Sequence, residues 1–278
     1  MSDALNDLVA LLSLEEIEEN LFRGHSQDLG LPQLFGGQVL GQALSAATQT
    51  VAAERQVHSL HGYFLRPGDP HRPVVYQVDA VRDGASFTTR RVTAIQKGRP
   101  IFFCSASFHG REQSMAHQMA MPNVTLPENL DSDPNARLER FPGHPIEFLH
   151  LGDEAESGQP ARKRLWFRLT GELSDDPTLH RNLLAYSSDF NLLTTALVPH
   201  GIAFPDPKLQ IASLDHAIWF HHDVKINDWL LYDMESPWAG GARGLARGNI
   251  FDHSGRLVAS AAQEGLTRLH DHGRSQSS

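Results

Sequence analysis

Three residue types of a nucleophilic triad lie within four positions of the stretch "QIASLDHAIWFHHD", residues 210–223. They are Ser213, Asp215 and His216. The apolar residues between them predict a β-strand, in which successive side chains point to opposite faces. Ser213 and Asp215 would then face one way and His216 the other. No G-x-S-x-G sequence, which would raise a serine out of a strand-to-helix turn, occurs in the chain. We therefore do not expect a compact Ser/His/Asp triad here.

The same stretch ends in His221, His222 and Asp223, which are residue types that bind metals. Adjacent side chains in an extended segment diverge, and the chain has neither an H-E-x-x-H nor a C-x-x-C sequence to complete a site. We expect no metal site and no cofactor.

An aspartate in an apolar stripe is the more unusual feature. In a helix predicted around residues 180–197, Asp189 shares a face with Ala185, Leu192 and Ala196. It either marks the polar margin of that stripe or is a carboxylate held against a sheet, where desolvation would raise its basicity. Ser213 and Gln263 are polar residues in mostly apolar strands. They are candidates to face this carboxylate, although a serine alone is more often a small packing residue and a glutamine alone more often an edge-strand polar residue.

The elements around these residues follow one plan twice: a helix, then antiparallel strands separated by turn residues. From Ser59 to Arg91 is 32 residues, and from Ser213 to Arg247 is 34, so the strand spacing also repeats. This predicts an internally duplicated α+β fold rather than a parallel sheet. Between the copies, residues 112–160 lack steady periodicity and are interpreted as a connector. The predicted helices span 36–53 and 175–197, and the predicted strands span 57–65, 74–83, 86–96, 100–109, 164–170, 210–220, 229–236, 242–251 and 257–266.

Composition narrows the possible partners. The formal net charge of −9 argues against general nucleic-acid binding but leaves a phosphorylated small ligand open. The start of the chain is acidic and lacks the basic region of a signal peptide. Its apolar residues recur at helical spacing and predict one or two short amphipathic helices. No apolar run in the sequence is long enough to cross a membrane. With a single cysteine, Cys104, these features lead us to expect a cytoplasmic protein without membrane insertion.

Several long segments, in order, resemble the type II acyl-CoA thioesterases. The likeness runs from about residue 10 to residue 268 and weakens only in the connector. The segments are "LFRGHSQDLGLPQLFGGQVLGQAL" (21–44), "VHSLHGYFLRPGD" (57–69), "RDGASFTTRRVTAIQKGRPIFFCSASF" (82–108), "SSDFNLL" (187–193), "ASLDHAIWFH" (212–221) and "VASAAQEG" (258–265).

The resemblance implies a double hotdog fold, in which each of two tandem repeats wraps an antiparallel sheet around a long helix. It implies a first repeat with an N-terminal helical segment at 1–115, a connector at 116–160 and a second, catalytic repeat at 161–278. The family's catalytic residues fall on Asp189, Ser213 and Gln263. They imply hydrolysis of a fatty acyl-CoA by direct attack of water, with Asp189 as base.

The thioester oxygen needs preorganised donors, and backbone N–H groups at a glycine-rich helix start would serve, so we expect Gly37 and Gln38 to bind substrate. The position in the first repeat that corresponds to Asp189 is Phe35, so one active site per chain is expected. The implied partner is acyl-CoA, and the implied assembly is a homodimer or homotetramer.

Three other functions stay open. They are a non-catalytic acyl-CoA-binding protein, a hotdog hydratase or dehydratase acting on acyl thioesters, and a serine hydrolase with an acyl-enzyme intermediate.

Overall fold

The computed structural model describes residues 3–132, 134 and 136–270. These form one antiparallel sheet of 14 strands with two central helices packed together against it and a third, N-terminal helix that contacts both. Residues 271–278, the end of the predicted second repeat, lie outside the described part of the chain. The helices are α1 (Asp3–Leu12), α2 (Gly36–Gln49) and α3 (Pro177–Ser187), with 3-10 segments at Pro127–Ser132 and Leu193–His200. The strands are β1 (Glu15–Glu18), β2 (Leu21–Gly24), β3 (Gln56–Phe64), β4 (Val74–Asp83), β5 (Phe87–Gln96), β6 (Arg99–His109), β7 (Arg137–Arg140), β8 (Ile146–Glu154), β9 (Ala161–Leu169), β10 (Leu209–Ser213), β11 (Asp215–Phe220), β12 (Leu230–Gly240), β13 (Arg243–Asp252) and β14 (Leu257–Leu269).

The strand order is the same in the two halves of the sheet. The first half runs β2-β4-β5-β6-β3 and the second runs β9-β12-β13-β14-β11. In the sequence, α2 lies between β2 and β3, and α3 lies between β9 and β10. The halves join where β3 pairs antiparallel with β11, with Leu60 opposite Ile218. One continuous sheet therefore holds both helices on its inner face.

The two long helices begin in different ways. At the start of α3, Asp176 accepts a hydrogen bond from the Thr178 N–H (2.9 Å), and Pro177 occupies the first turn. Before α2 stands Phe35, which makes no side-chain cap, so nearby groups must satisfy the first N–H groups of α2. This helix is rich in small residues and is buried from Gly37 to Ala47, which lets α3 pack closely against it.

Three elements differ from the sequence-based expectations. The N-terminal segment forms one helix followed by the β1–β2 hairpin, and Ile17 is an exposed strand residue. The second long helix ends at Ser187 rather than near residue 197, and the chain then turns, with a left-handed backbone at Asn191 (φ 65°), before the 3-10 segment begins. The region expected to be a connector contains β7 and β8, which extend the sheet beyond β9.

Residues 121–126 cover the outer face of the second half of the sheet. Met121, Val124 and Leu126 pack on a cluster that includes the fully buried Trp166. The indole of Trp166 donates to the Thr125 carbonyl oxygen at 2.9 Å. Burying a side chain of this size contributes on the order of 3 kcal/mol, so the cover stabilises the sheet. No helix in the described part of the chain is long and apolar enough to cross a membrane.

Candidate active site

Asp189 lies at the junction of the two central helices. It is the second residue after the end of α3, in the turn before Asn191, and its side chain is only 6 % exposed. The Gln263 amide, from β14, donates to Asp189 Oδ1 at 2.6 Å, and the Gly37 N–H at the start of α2 donates to the same carboxylate. The structure therefore holds a buried acid against a helix N-terminus, which favours its charged form.

The Asp189 carboxyl is nevertheless a stronger base than an ordinary aspartate. Burial raises its pKa to about 6, although the hydrogen bonds from Gln263 and Gly37 act in the opposite direction. Desolvation thus outweighs hydrogen bonding. A carboxyl with this pKa is mostly ionised at neutral pH and accepts a proton more readily than a surface carboxylate.

Ser213 and Gln263 complete the hydrogen-bonded group. The Gln263 amide nitrogen donates to Ser213 Oγ at 3.0 Å as well as to Asp189, so its two protons are used and the serine hydroxyl keeps its own. Gln263 is 1 % exposed, and its Oε1 has no hydrogen-bond partner among the described residues. The structure thus brings together the three residues that the family resemblance singled out.

The expectation that Ser213 and His216 face opposite ways is wrong. Pairing with β14 shifts by one residue between Ser213, opposite Gly265, and Ala217, opposite Ala262. The extra residue forms a bulge at Leu214, whose N–H donates to the Glu264 carbonyl oxygen, and it reverses the alternation of faces.

His216 therefore also points inward, with its Nδ1 lying 3.7 Å from Asp189 Oδ1. The hydrogen-bond partners still do not form a nucleophilic triad. The Nε2 of His216 contacts Ser188 Oγ (3.0 Å), whereas Ser213 Oγ contacts Gln263. The Asp215 carboxylate accepts from the Glu264 N–H at 2.7 Å, so it holds the bulge in place.

Two adjacent glycines permit the helix junction. A Cβ on Gly36 would lie 2.7 Å from Asp189 Oδ2, and one on Gly37 would lie 2.2 Å from the Tyr186 carbonyl oxygen. Both distances are shorter than real Cβ contacts allow, so a side chain at Gly36 would displace the Asp189 carboxylate and one at Gly37 would push α2 away from the turn after α3.

Of the two residues expected to bind substrate, only Gly37 contacts a site residue: its backbone N–H donates to the Asp189 carboxylate. The Gln38 side chain points elsewhere: its Oε1 accepts from the Gln27 N–H, and its Nε2 donates to the His25 carbonyl oxygen and to Gln42. Only the backbone N–H of Gln38, in the first turn of α2, remains available for a role in the site.

A cavity of about 190 Å³ opens beside this group. It reaches Ser213 and Gly36, its walls are mainly apolar, and Gln33 and Arg66 add polar groups. Such a cavity suits a ligand with an apolar chain and a few polar atoms. The apolar lining consists of Leu34, Val39, Phe64, Leu65, Pro67, Ile101, Phe102, Ala212 and Leu214. A larger cavity, of about 1070 Å³, lies between residues 121–129 and β8 and is lined by none of the site residues.

The histidines that the site does not use have other partners. The His221 ring contacts Ser260, and the Asp223 carboxylate accepts hydrogen bonds from Arg111 and Arg181. His221 and Asp223 therefore do not point toward a common metal position. Among the described residues, no group of three or more histidine, cysteine or acidic side chains is arranged to hold a metal ion.

Sequence reasoning missed Gly36, Ser188 and His216. The signal for Gly36 was its place in the Gly36-Gly37 pair, and Ser188 stands next to Asp189. His216 was assigned to the wrong face because a bulge cannot be read from the alternation of polar and apolar residues.

Comparison with known proteins identifies the family of this chain. A family model described as acyl-CoA thioesterase matches residues 148–266, and one described as acyl-CoA thioesterase N-terminal domain matches residues 26–109. Acyl-CoA thioesterase 2 from Haemophilus influenzae is 42 % identical, with 98 % of this chain and 100 % of that protein covered.

Two solved structures are also similar. The crystal structure of an acyl-CoA thioesterase II from Mycobacterium marinum has a TM-score of 0.83 and 42 % identity, over 94 % of this chain and 98 % of that chain. A hotdog-fold protein of unknown function from Alicyclobacillus acidocaldarius has a TM-score of 0.77 at 18 % identity, over 95 % of this chain and 99 % of that chain, which shows the fold alone. The chain has the hotdog fold and belongs to the acyl-CoA thioesterase family.

Proposed function

We propose that this protein hydrolyses fatty acyl-CoA to a free fatty acid and CoA by direct attack of water, with Asp189 as the general base. The observation that carries this proposal is the buried Asp189 carboxylate. It is hydrogen-bonded by Gln263, linked through that amide to Ser213, and next to an apolar cavity. Its pKa of about 6 suits a base that works near neutral pH.

The reaction proceeds in two steps. Asp189 takes a proton from water while the water oxygen bonds to the thioester carbonyl carbon, and Ser213 and Gln263 keep water and carboxylate in line. The carbonyl oxygen gains negative charge, and the backbone N–H of Gln38 at the start of α2 is our candidate to stabilise it, since the Gly37 N–H already donates to Asp189. The carbon–sulfur bond then breaks, and the CoA thiolate takes the proton from Asp189.

A Ser213 nucleophile is less well supported. Nucleophilic serines need an adjacent base, and the described hydrogen-bond partner of Ser213 Oγ is the amide nitrogen of Gln263. An amide cannot accept the serine proton as a base. Ser213 therefore orients water and neighbouring groups rather than forming an acyl-enzyme.

The two halves of the sheet are two tandem hotdog repeats in this proposal. The repeated strand order and the pairing of β3 with β11 support this interpretation. The first repeat spans 1–115 with the N-terminal segment, the connector spans 116–160, and the second repeat spans 161–278 with the catalytic residues. One active site per chain is proposed because Asp189, Ser213 and Gln263 all lie in the second repeat. Phe35, which the sequence spacing matched to Asp189, is not its structural counterpart, since Phe35 precedes α2 whereas Asp189 follows α3.

A homodimer or homotetramer and a cytoplasmic location complete the proposal. The outer face of the first half of the sheet exposes the stacked rings of Tyr63 and Phe103, which suit a contact with a second copy. The single cysteine, Cys104, is free and suits a reducing compartment. Light scattering and cell fractionation test these two points.

Release of CoA thiol from octanoyl-CoA tests the function, with Asp189→Asn as the informative variant. Loss of the general base is expected to lower kcat by about 10²- to 10⁴-fold. The matched control is Asp252→Asn, which changes a carboxylate at the end of β13 that pairs with Arg256 at 2.7 Å and contacts none of the site residues named above. Undiminished hydrolysis by Asp189→Asn would exclude this residue as the base.

Ser213→Ala distinguishes direct attack by water from nucleophilic attack by the Ser213 hydroxyl. Without its orienting hydroxyl, hydrolysis is expected to fall on the order of tenfold, whereas loss of a nucleophile would reduce it to background. If wild-type protein released no thiol from acyl-CoA of any chain length but still bound it, the non-catalytic binding protein would be the better description.

A further inference from the structure

His216 is the buried residue next to Asp189 that the proposed mechanism leaves without a role. Its ring is 1 % exposed, its Nδ1 lies 3.7 Å from Asp189 Oδ1, and that Nδ1 has no hydrogen-bond partner among the described residues. A buried polar atom without a partner costs about 1–3 kcal/mol. This nitrogen lies beside the proposed base, which suggests that it serves the chemistry of Asp189 rather than the stability of the fold.

The hydrogen bonds of Ser188 define which ring nitrogen carries the proton. The Ser188 hydroxyl donates to the Ala185 carbonyl oxygen at 2.9 Å, so its oxygen can only accept from His216 Nε2 at 3.0 Å. Nε2 therefore carries the hydrogen and Nδ1 presents a lone pair. Burial lowers the pKa of His216 to about 3, so the ring stays neutral at every pH at which the enzyme would work.

A lone pair facing Asp189 interacts differently with the ionised and the protonated form of that carboxyl. It is unfavourable beside the ionised carboxylate, and it can accept a hydrogen bond from the protonated acid. We infer that His216 is a positioning residue whose Nδ1, fixed by Ser188, favours the protonated form of Asp189 and so strengthens the base that removes the proton from water. This inference rests on the proposed role of Asp189.

The other groups around Asp189 do not supply this effect. Gln263 and the Gly37 N–H donate to the carboxylate and favour its ionised form. Tyr186 of α3 and Tyr232 of β12 are also near, and burial raises the pKa of both above the ordinary value, so both stay neutral. No lysine or arginine makes an ion pair with Asp189 in the described part of the chain.

His216→Gln is the sharpest variant. A glutamine amide nitrogen can replace Nε2 as the donor to Ser188, while the ring nitrogen Nδ1 is lost. We expect the acid limb of the kcat profile to move down by about one pH unit. His216→Leu, which has no amide oxygen that could face Asp189 instead, should shift the profile in the same direction. A shift from about 6 to about 5 raises the ionised fraction at pH 5 from roughly a tenth to a half. The ratio of activity at pH 5 to activity at pH 8 should therefore rise about fivefold.

Ser188→Ala should shift the profile in the same direction, because the freed ring can place its hydrogen on Nδ1 and donate to Asp189. The control is Tyr232→Phe, which removes a 3.0 Å hydrogen bond to the Ser188 carbonyl oxygen without changing the groups that contact the carboxylate. A merely structural role for His216 would lower activity equally at all pH values, as we expect for Tyr232→Phe.

Two NMR measurements separate this inference from the proposed function. The ¹⁵N shifts of the His216 ring should show hydrogen on Nε2, and the ¹³C titration of the Asp189 carboxyl should move down in His216→Gln without any substrate present. Hydrogen on Nδ1 in the wild type, or an unmoved or raised Asp189 titration in the variant, would overturn the inference. Hydrolysis that survives Asp189→Asn would instead refute the proposed base.

Discussion

Gly36→Ala tests whether the contact between α2 and Asp189 is essential for activity. The added methyl group would lie 2.7 Å from Asp189 Oδ2 and 3.0 Å from Cζ of Phe64. Gly36 does not have a left-handed backbone, and alanine is favourable in helices, so the substitution should cost the helix nothing. The strain falls instead on the carboxylate, which can rotate, and on the ring of Phe64.

The size of the effect follows from these distances. Asp189 Oδ2 must retreat by about 0.7 Å to reach the 3.4 Å of an ordinary contact. Rotation of the carboxylate would also lengthen its 2.6 Å hydrogen bond with Gln263. Misplacement of a reacting group by about 1 Å can cost on the order of 10²-fold in rate. We expect kcat to fall by about 10- to 100-fold, which corresponds to roughly 1.4–2.7 kcal/mol of activation free energy.

The assay is thiol release from octanoyl-CoA combined with thermal unfolding. The protein's own thiol does not interfere, because Cys104 is fully buried and burial raises its pKa to about 12. Gly110→Ala is the matched control, since a Cβ there meets nothing within 4 Å. A Gly36→Ala protein with kcat within twofold of wild type would show that the site does not depend on this contact.

Two further predictions concern the hydrogen bonds and charge of the same carboxyl. Gln263→Leu removes the donor that lowers the pKa of Asp189, so the acid limb of the kcat profile should move to higher pH, opposite to the shift expected for His216→Gln. An unchanged or lowered limb would contradict this. Asp189→Asn should also stabilise the protein at pH 8. A folded-state pKa raised from 3.8 to about 6 adds stability that is fully present below the unfolded pKa and is lost as pH rises through 6. The free energy of unfolding of the variant should exceed that of wild type by on the order of 3 kcal/mol at pH 8, and the difference should disappear as the pH falls below the unfolded pKa of 3.8. Equal values at pH 8 would show that the buried charge carries no such cost.

Local sequence patterns predicted most of the strands well. The run 74–83 is β4 with the same bounds, and 100–109 differs from β6 by one residue. These strands alternate in burial and are bounded by glycine- and proline-containing turns, which are local signals. In contrast, β8 buries four successive residues, from Ile146 to Leu149, and so lacks the alternation that would have identified it.

The end of α3 was less predictable. Ala185, Leu192 and Ala196 are all buried, as the apolar stripe predicted, but they do not belong to one helix. The stripe continues because the 3-10 segment after the turn packs against the same sheet. Periodicity reports which side chains are buried, and it does not report a turn that keeps them buried.

The amino-acid sequence alone was sufficient to indicate a duplicated antiparallel α+β fold, because strand alternation and turn residues are short-range properties. Its resemblance to one family also singled out Asp189, Ser213 and Gln263. Only the tertiary structure decided that Gln263 bridges the other two and that Gly36 leaves room for the carboxylate. It also decided that Ser213 and His216 share a face. That face depends on the bulge at Leu214, which is set by pairing with β14 some 50 residues later and therefore leaves no mark on the local pattern.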